Sequence, residues 1–413
     1  MTTAVVRPGP DGASAPASDA VPPAALVPER WGGTLDDVLA LAQAGQRLAR
    51  RDLDAALLTV VGPLRALAPV WTGDDEDLAA RTAVRVLSGD CTGSSERDVA
   101  DGRDRPTVLR RALRADVLVR AVVPAVLAGA AQEVVRSAAR SVVDARARGH
   151  PLTRTASTVL VRARADLLTV DALTRAACTA VRHAPTSAAV PTAVAQFVGT
   201  DLLRELLLDL LPLTLPPTLP GSAAGPAPDR SPLPVLRALA HATTAGDLAR
   251  LTLVSHLAHR PAAGPLPHRH PVPWDPTAVR ESPDGTDALA DALTGSPAPP
   301  GGTAPLAALA AESRRLRAEV ARTSVQPAHQ RSVGLSALAE RHAWLDAAGA
   351  CLLVPAAGAG PDVLPARSWV PVALHAVAAR LGLPVPAPPQ ECTDALLRDV
   401  LERARTGRAY DGG

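Results

Sequence analysis

Proline and glycine cut this chain into helical lengths. The 41 prolines and 29 glycines gather in clusters, and between the clusters apolar residues recur three and four positions apart instead of alternating. A period of 3.6 gathers side chains into one stripe along a helix, whereas a strand would need a period of two. The segments must bury those stripes against one another as packed helices, so the expected fold class is all-α. Neither paired strands nor an internal repeat can be picked out.

Residues 1–30 are rich in Ala, Pro and Ser and lack the basic head and unbroken apolar run of a signal peptide, so a disordered tail is expected. An N-terminal helical segment follows over 31–106, with one or two helices from Leu35 to Ala68 broken near Gly62-Pro63, a short one from Glu76 to Leu87, and a polar loop over 88–106. Residues 107–260 hold four long runs. The first, Thr107 to Arg148, should kink at Pro124, where an N–H is missing and the ring crowds the preceding turn. The second, Thr153 to His183, places Ala163, Leu167, Val170, Ala177 and Val181 on one stripe, with Arg164, Asp171 and Arg175 off it. The third, Ala193 to Leu211, is apolar nearly all round, and the fourth spans Pro232 to His259. Four antiparallel helices with short or medium connections suggest a four-helix bundle. A Pro/Gly-rich linker over 261–305, interrupted by a short helix from Thr286 to Leu293, leads to a C-terminal helical block over 306–413. That block has candidate helices at Leu306 to Arg322, Gly334 to Val354, Trp369 to Leu381 and Glu391 to Thr406, the last with Thr393 as an early cap.

Composition narrows the function classes. With 413 residues, 47% of them hydrophobic, the chain can fill the cores of two or three domains. Its 43 basic and 41 acidic residues nearly cancel, and aromatic residues make up only 2%, so neither a phosphate-attracting field nor base-stacking platforms point to nucleic acid. Lysine, isoleucine and asparagine do not occur, and every basic residue is arginine, a pattern of GC-biased coding. Cys91, Cys178, Cys351 and Cys392 are far apart and form no CxxC pair, which points away from a disulfide framework or zinc module and toward a reduced, cytoplasmic setting. No membrane span is expected, because the longest apolar runs are broken by Arg120 or by Arg204, Glu205 and Asp209.

The succession from Arg114 to Ala258 resembles the C-terminal helical domain of the acyl-CoA dehydrogenase family. Residues 115–152 (ADVLVRAVVPAVLAGAAQEVVRSAARSVVDARARGHPL) are similar to the family's first bundle helix, which ends in an Arg-rich turn followed by Gly, a basic residue, Pro and Leu; here these are Gly149, His150, Pro151 and Leu152. Residues 153–183, 193–213 and 237–258 resemble the next three helices, and 341–352 (RHAWLDAAGACL) an extension of longer bacterial members. The resemblance implies bound FAD, an acyl-CoA or acyl-thioester substrate oxidised by α-proton abstraction and hydride transfer, and homo- or hetero-oligomers formed through the bundle. Thr243 stands where the common catalytic glutamate would be, while the minority position at the start of the first bundle helix falls on Asp116, which becomes the candidate catalytic base. The arginine that contacts the FAD adenylate across the dimer matches Arg146 or Arg148, and the glycine pair near the pyrophosphate aligns with Leu215 and Pro216. The competing reading is a non-catalytic helical partner or scaffold that associates with a full-length flavoenzyme or with itself.

Other constellations point less far. His256, His259, His268 and His270 form a cluster at a helix end and in a proline-rich loop; imidazoles so spaced could take a transition metal, but solvated loop histidines are the simpler reading. His342 and Trp344 could line a pocket or serve as core. Arg314, Arg315 and Arg317, with Glu312 and Glu319 nearby, read as an ion-paired helix face.

Overall fold

The computed structural model describes residues 21–67, 70, 76–88, 105–214, 232–259, 288–323, 328–354, 364–408 and 410. Thirteen helices carry the fold among them, and the one β feature is an isolated bridge between Pro28 and Leu35. The helices are α1 (Val38–Arg51), α2 (Leu53–Ala56), α3 (Gly62–Ala66), α4 (Glu76–Leu87), α5 (Arg105–Ala147), α6 (Arg154–His183), α7 (Ala189–Thr214), α8 (Leu233–His259), α9 (Ala288–Gly295), α10 (Thr303–Thr323), α11 (Ala328–Leu353), α12 (Ala366–Arg380) and α13 (Gln390–Thr406).

The long helices start and stop where local chemistry directs. Thr153 caps α6 by accepting from the Ala156 N–H at 3.1 Å, and Asp37 caps α1 by accepting from Leu39 at 2.9 Å. Gly149 stops α5: at φ +87° it takes the left-handed conformation, and His150 donates back to the Ala145 carbonyl at 3.0 Å. α5 runs unbroken through Pro124, whose ring lies against Gly199 of α7, where an added Cβ would stand 3.3 Å from the proline Cβ. The helical segment after α1 differs from expectation. It breaks at Asp52 and continues through Gly62-Pro63, with a π-helical turn over Leu57–Val61 leading into the proline. The Thr393 hydroxyl donates to the Gln390 carbonyl and does not cap α13, whose N-cap position is Pro389.

α7 lies at the centre of the first layer, against α5, α6 and α8. Its all-round apolar surface is thereby explained, since Leu202, Leu203, Leu206, Leu207 and Leu210 are all buried. α5 and α8 touch each other only slightly, and α11 lies against α6, α7 and α8. Close approach is bought with glycine at two crossings. A Cβ at Gly129 on α5 would stand 2.2 Å from the Gln46 carbonyl oxygen of α1, and one at Gly349 on α11 would stand 1.9 Å from that of Leu289 on α9. One stretch of α5, Ala112–Ala147, is long and apolar enough to cross a membrane, but 94% of its apolar window is buried within the fold.

Three sequence-drawn boundaries shift. The expected tail over 1–30 is packed from residue 21 onward, with Val21, Leu26 and Val27 buried. The expected linker over 261–305 contains α9 and the first turn of α10. The C-terminal block does not stand apart, because α11, α12 and α13 pack on α6 and contribute Cys351, Leu374 and Leu396 to the same continuous core as the helices of 107–260. Apolar stripes on both sides of α6 and α7 require this second cover.

Candidate functional site

The residues singled out by the family resemblance do not converge. Asp116 sits near the start of α5, its carboxylate 2.5 Å from the Arg120 guanidinium one turn on. Arg120, 4% exposed, also donates to the Thr252 hydroxyl of α8 at 2.8 Å. The pair is thus a clamp between α5 and α8, with the Asp116 carboxylate balancing a cation buried at the seam. Arg146 and Arg148 are exposed at the other end of the same helix. Thirty residues at 1.5 Å each separate Asp116 from Arg146 by about 45 Å along the axis, so one small cofactor cannot meet both within one chain. The Gly-His-Pro-Leu stretch has a local cause as well, since Gly149 and Pro151 terminate α5. Leu215 and Pro216 lie outside the described residues, as does the side chain of Thr243. Within one chain Asp116 and Arg146 thus belong to different places, and the arginine contact that the resemblance implies is one across a dimer.

Titratable groups do converge elsewhere, where α8 meets α11. His256 and His342 stack with ring centroids 5.2 Å apart and planes at 19°. Nε2 of His342 lies 3.5 Å from a carboxylate oxygen of Asp346, one turn further along α11. All three side chains are at most 2% exposed. His256 was expected in a solvated cluster and is instead part of the core; the side chain of His259 and residues His268 and His270 lie outside the described residues. No group of three His, Cys, Asp or Glu side chains among the described residues is arranged to hold a metal ion. Trp344 turns to another partner, with the Arg380 guanidinium of α12 lying 5.1 Å from the centre of its ring.

Arg380 belongs to a charge network that joins α6, α7 and α12. It lies 3.3 Å from Asp166 of α6 and 3.0 Å from Glu205 of α7. Arg162 adds contacts to Glu205 at 2.6 Å and to Asp209 at 3.2 Å. Burial pushes the Asp166 carboxyl up to about 6, against the pull of Arg380 and Arg162. Three residues along α6, the Thr169 hydroxyl meets the Cys351 thiol at 3.7 Å. Burial pushes that thiol up to about 12, which removes it as a nucleophile near neutral pH.

The deepest cation was expected off the buried stripe. Arg164 of α6 is 1% exposed, 2.8 Å from Asp399 of α13, and donates to the Tyr410 carbonyl at 2.5 Å. Its guanidinium stands 5.5 Å from the centre of the Tyr410 ring, and the Tyr410 hydroxyl donates to the Val400 carbonyl at 2.9 Å. Asp399 also takes Arg403 at 2.7 Å. The basic run on α10 is ion-paired both within its helix and beyond it: Arg315 pairs with Glu312 at 2.9 Å and Arg317 with Asp291 of α9, while Arg341 of α11 reaches Glu312 and Glu319.

These buried charges were legible only as irregularities, such as a carboxylate four residues from an arginine inside an otherwise apolar helix. Their partners come from segments far along the chain. Chemically, each network pairs opposite charges between helices, an arrangement that fixes helix register. Comparison with known proteins finds no family model, no curated protein and no solved structure that matches this chain.

Proposed function

We propose that the chain is a divergent acyl-CoA dehydrogenase-like protein whose helical module serves as a non-catalytic partner or scaffold subunit. The sequence resemblance over 114–258 supports the family reading, and the four long helices α5 to α8 follow one another in the expected order, α7 being longer at both ends than expected. One observation carries the non-catalytic role: Asp116, the carboxylate at the family's alternative base position, is committed to Arg120 and through it to α8. A base must reach the α-proton of a bound substrate, and a displacement of about 1 Å already costs on the order of a hundredfold in rate.

The second reading, FAD-dependent oxidation of an acyl thioester, draws on Asp116 keeping 17% of its side chain exposed near the start of α5. The absorbance spectrum of the purified protein separates the two, together with FAD quantified after denaturation and an acyl-CoA panel assayed with an electron acceptor. The expected result is a colourless protein that takes up no added FAD and is as inactive as its Asp116→Ala variant. Stoichiometric flavin, with acyl-CoA oxidation abolished by Asp116→Ala, overturns the scaffold reading.

A further inference from the structure

The outer face of α8 carries a pattern that reads the same in both directions. Among the described residues seven large apolar side chains are exposed, and three of them, Leu233, Leu248 and Leu251, lie on this one helix. At 100° per residue they share a face with Arg237, Ala240 and Asp247, all exposed. Arg250, by contrast, turns toward α11 and pairs with Glu340 at 2.5 Å. Turn α8 end over end about the level of residue 242. Leu233 then comes level with Leu251 of the second copy, and Arg237 with its Asp247. Each member of both pairs is equally far from the centre, so the match is made twice. Among the described residues near the crossing point, Ala240 and His241 are exposed, and Ala240, which lies on the shared face, is small enough to let two helices approach closely.

We propose that α8 is the twofold interface of a homodimer, two copies meeting antiparallel across this stripe. A surface whose cation and anion are equidistant from its centre is complementary to itself, which is the requirement of an isologous contact. The two ends supply apolar contact and the two Arg237–Asp247 pairs fix direction, since a parallel pairing would set like charges level. The inference deepens the scaffold role and rests on it, though the two fail separately. A single pair of helices buries little area, so the dimer is of the transient class and associates at micromolar rather than nanomolar concentration.

Sedimentation equilibrium of the full chain from about 1 to 100 μM tests it, with variants Arg237→Asp, Asp247→Arg, the double exchange, and Leu251→Asp. All sites are exposed, and far-UV circular dichroism checks that each variant keeps its helices. A monomer–dimer equilibrium is expected for the wild type, weakened at least about tenfold by either single charge reversal. The double exchange should restore it, and Leu251→Asp should abolish it. A wild type that stays monomeric at the highest concentration overturns the homodimer. A dimer indifferent to all four variants also overturns this interface while leaving self-association intact. Co-purification of a flavoenzyme that Leu251→Asp releases, with no self-association, keeps the scaffold reading and assigns the stripe to a different occupant, again overturning the homodimer.

Discussion

Arg164 and Asp166 sit two residues apart on α6, both almost fully buried, and burial acts on them in opposite senses. The Asp166 carboxyl is raised to about 6 from its ordinary value near 3.8. Between those values the folded protein binds more protons than the unfolded one, so this group's contribution to stability falls as pH rises from about 4 to 6 and is level above that. Urea unfolding across pH 4 to 7, compared with Asp166→Asn, should show that decline in the wild type and lose it in the variant. The carboxyl should titrate near pH 6 when followed directly by carbon NMR. Arg164 is a fixed cation whose counter-charge is Asp399, itself shared with Arg403. Arg164→Met should cost about 3 kcal/mol, because it removes the guanidinium that bonds Asp399 and the Tyr410 carbonyl, and adding Asp399→Leu should recover part of the loss. Urea midpoints of the two variants check both statements. Nothing in residues 153–183 taken alone reveals that Arg164 is buried, because its partners lie 235 and 246 positions further along the chain.

Helices were the most legible level of the structure, since apolar period, proline and glycine stops and capping residues are all local. The expected runs at 107–148, 153–183 and 232–259 match α5, α6 and α8 closely. Departures came at prolines, since α5 runs through Pro124 and the helical segment after α1 continues through Gly62-Pro63. The two glycine crossings give sharp expectations. Gly129→Ala would drive a methyl into the Gln46 carbonyl and should destabilise by about 3 kcal/mol. Gly246, within α8, has nothing within 4 Å of an added Cβ. There the alanine variant should stabilise by about 0.8 kcal/mol through helix propensity alone. Thermal or urea melts of the pair should move in opposite directions, and a Gly129→Ala protein as stable as the wild type would refute the close crossing of α1 and α5.

The molecule as a whole is less divisible than its sequence. Residues 107–260 contain apolar faces on α6 and α7 that their own neighbours leave uncovered, and α11, α12 and α13 supply the cover. Truncation before α10, leaving residues 1–302, should therefore yield a protein that aggregates or loses its near-ultraviolet dichroism. In the intact chain tryptophan fluorescence and far-UV dichroism should report one coincident transition; two separated transitions would restore the division into blocks. Spatial groupings of side chains were the least legible level in the sequence. Candidate residues spaced along one long helix are neighbours in the sequence's logic but about 45 Å apart in space, whereas His256 and His342 meet only through the packing of α8 on α11.

The tie between Arg164 and the end of the chain also has a temporal side. At about 5–20 residues per second, translation places on the order of 10 to 50 seconds between the appearance of Arg164 and that of Asp399. Throughout that interval a nascent α6 carries a cation whose buried seat does not yet exist. The contacts between α6 and the segment from Asp399 to Tyr410 are therefore among the last native contacts open to the growing polypeptide.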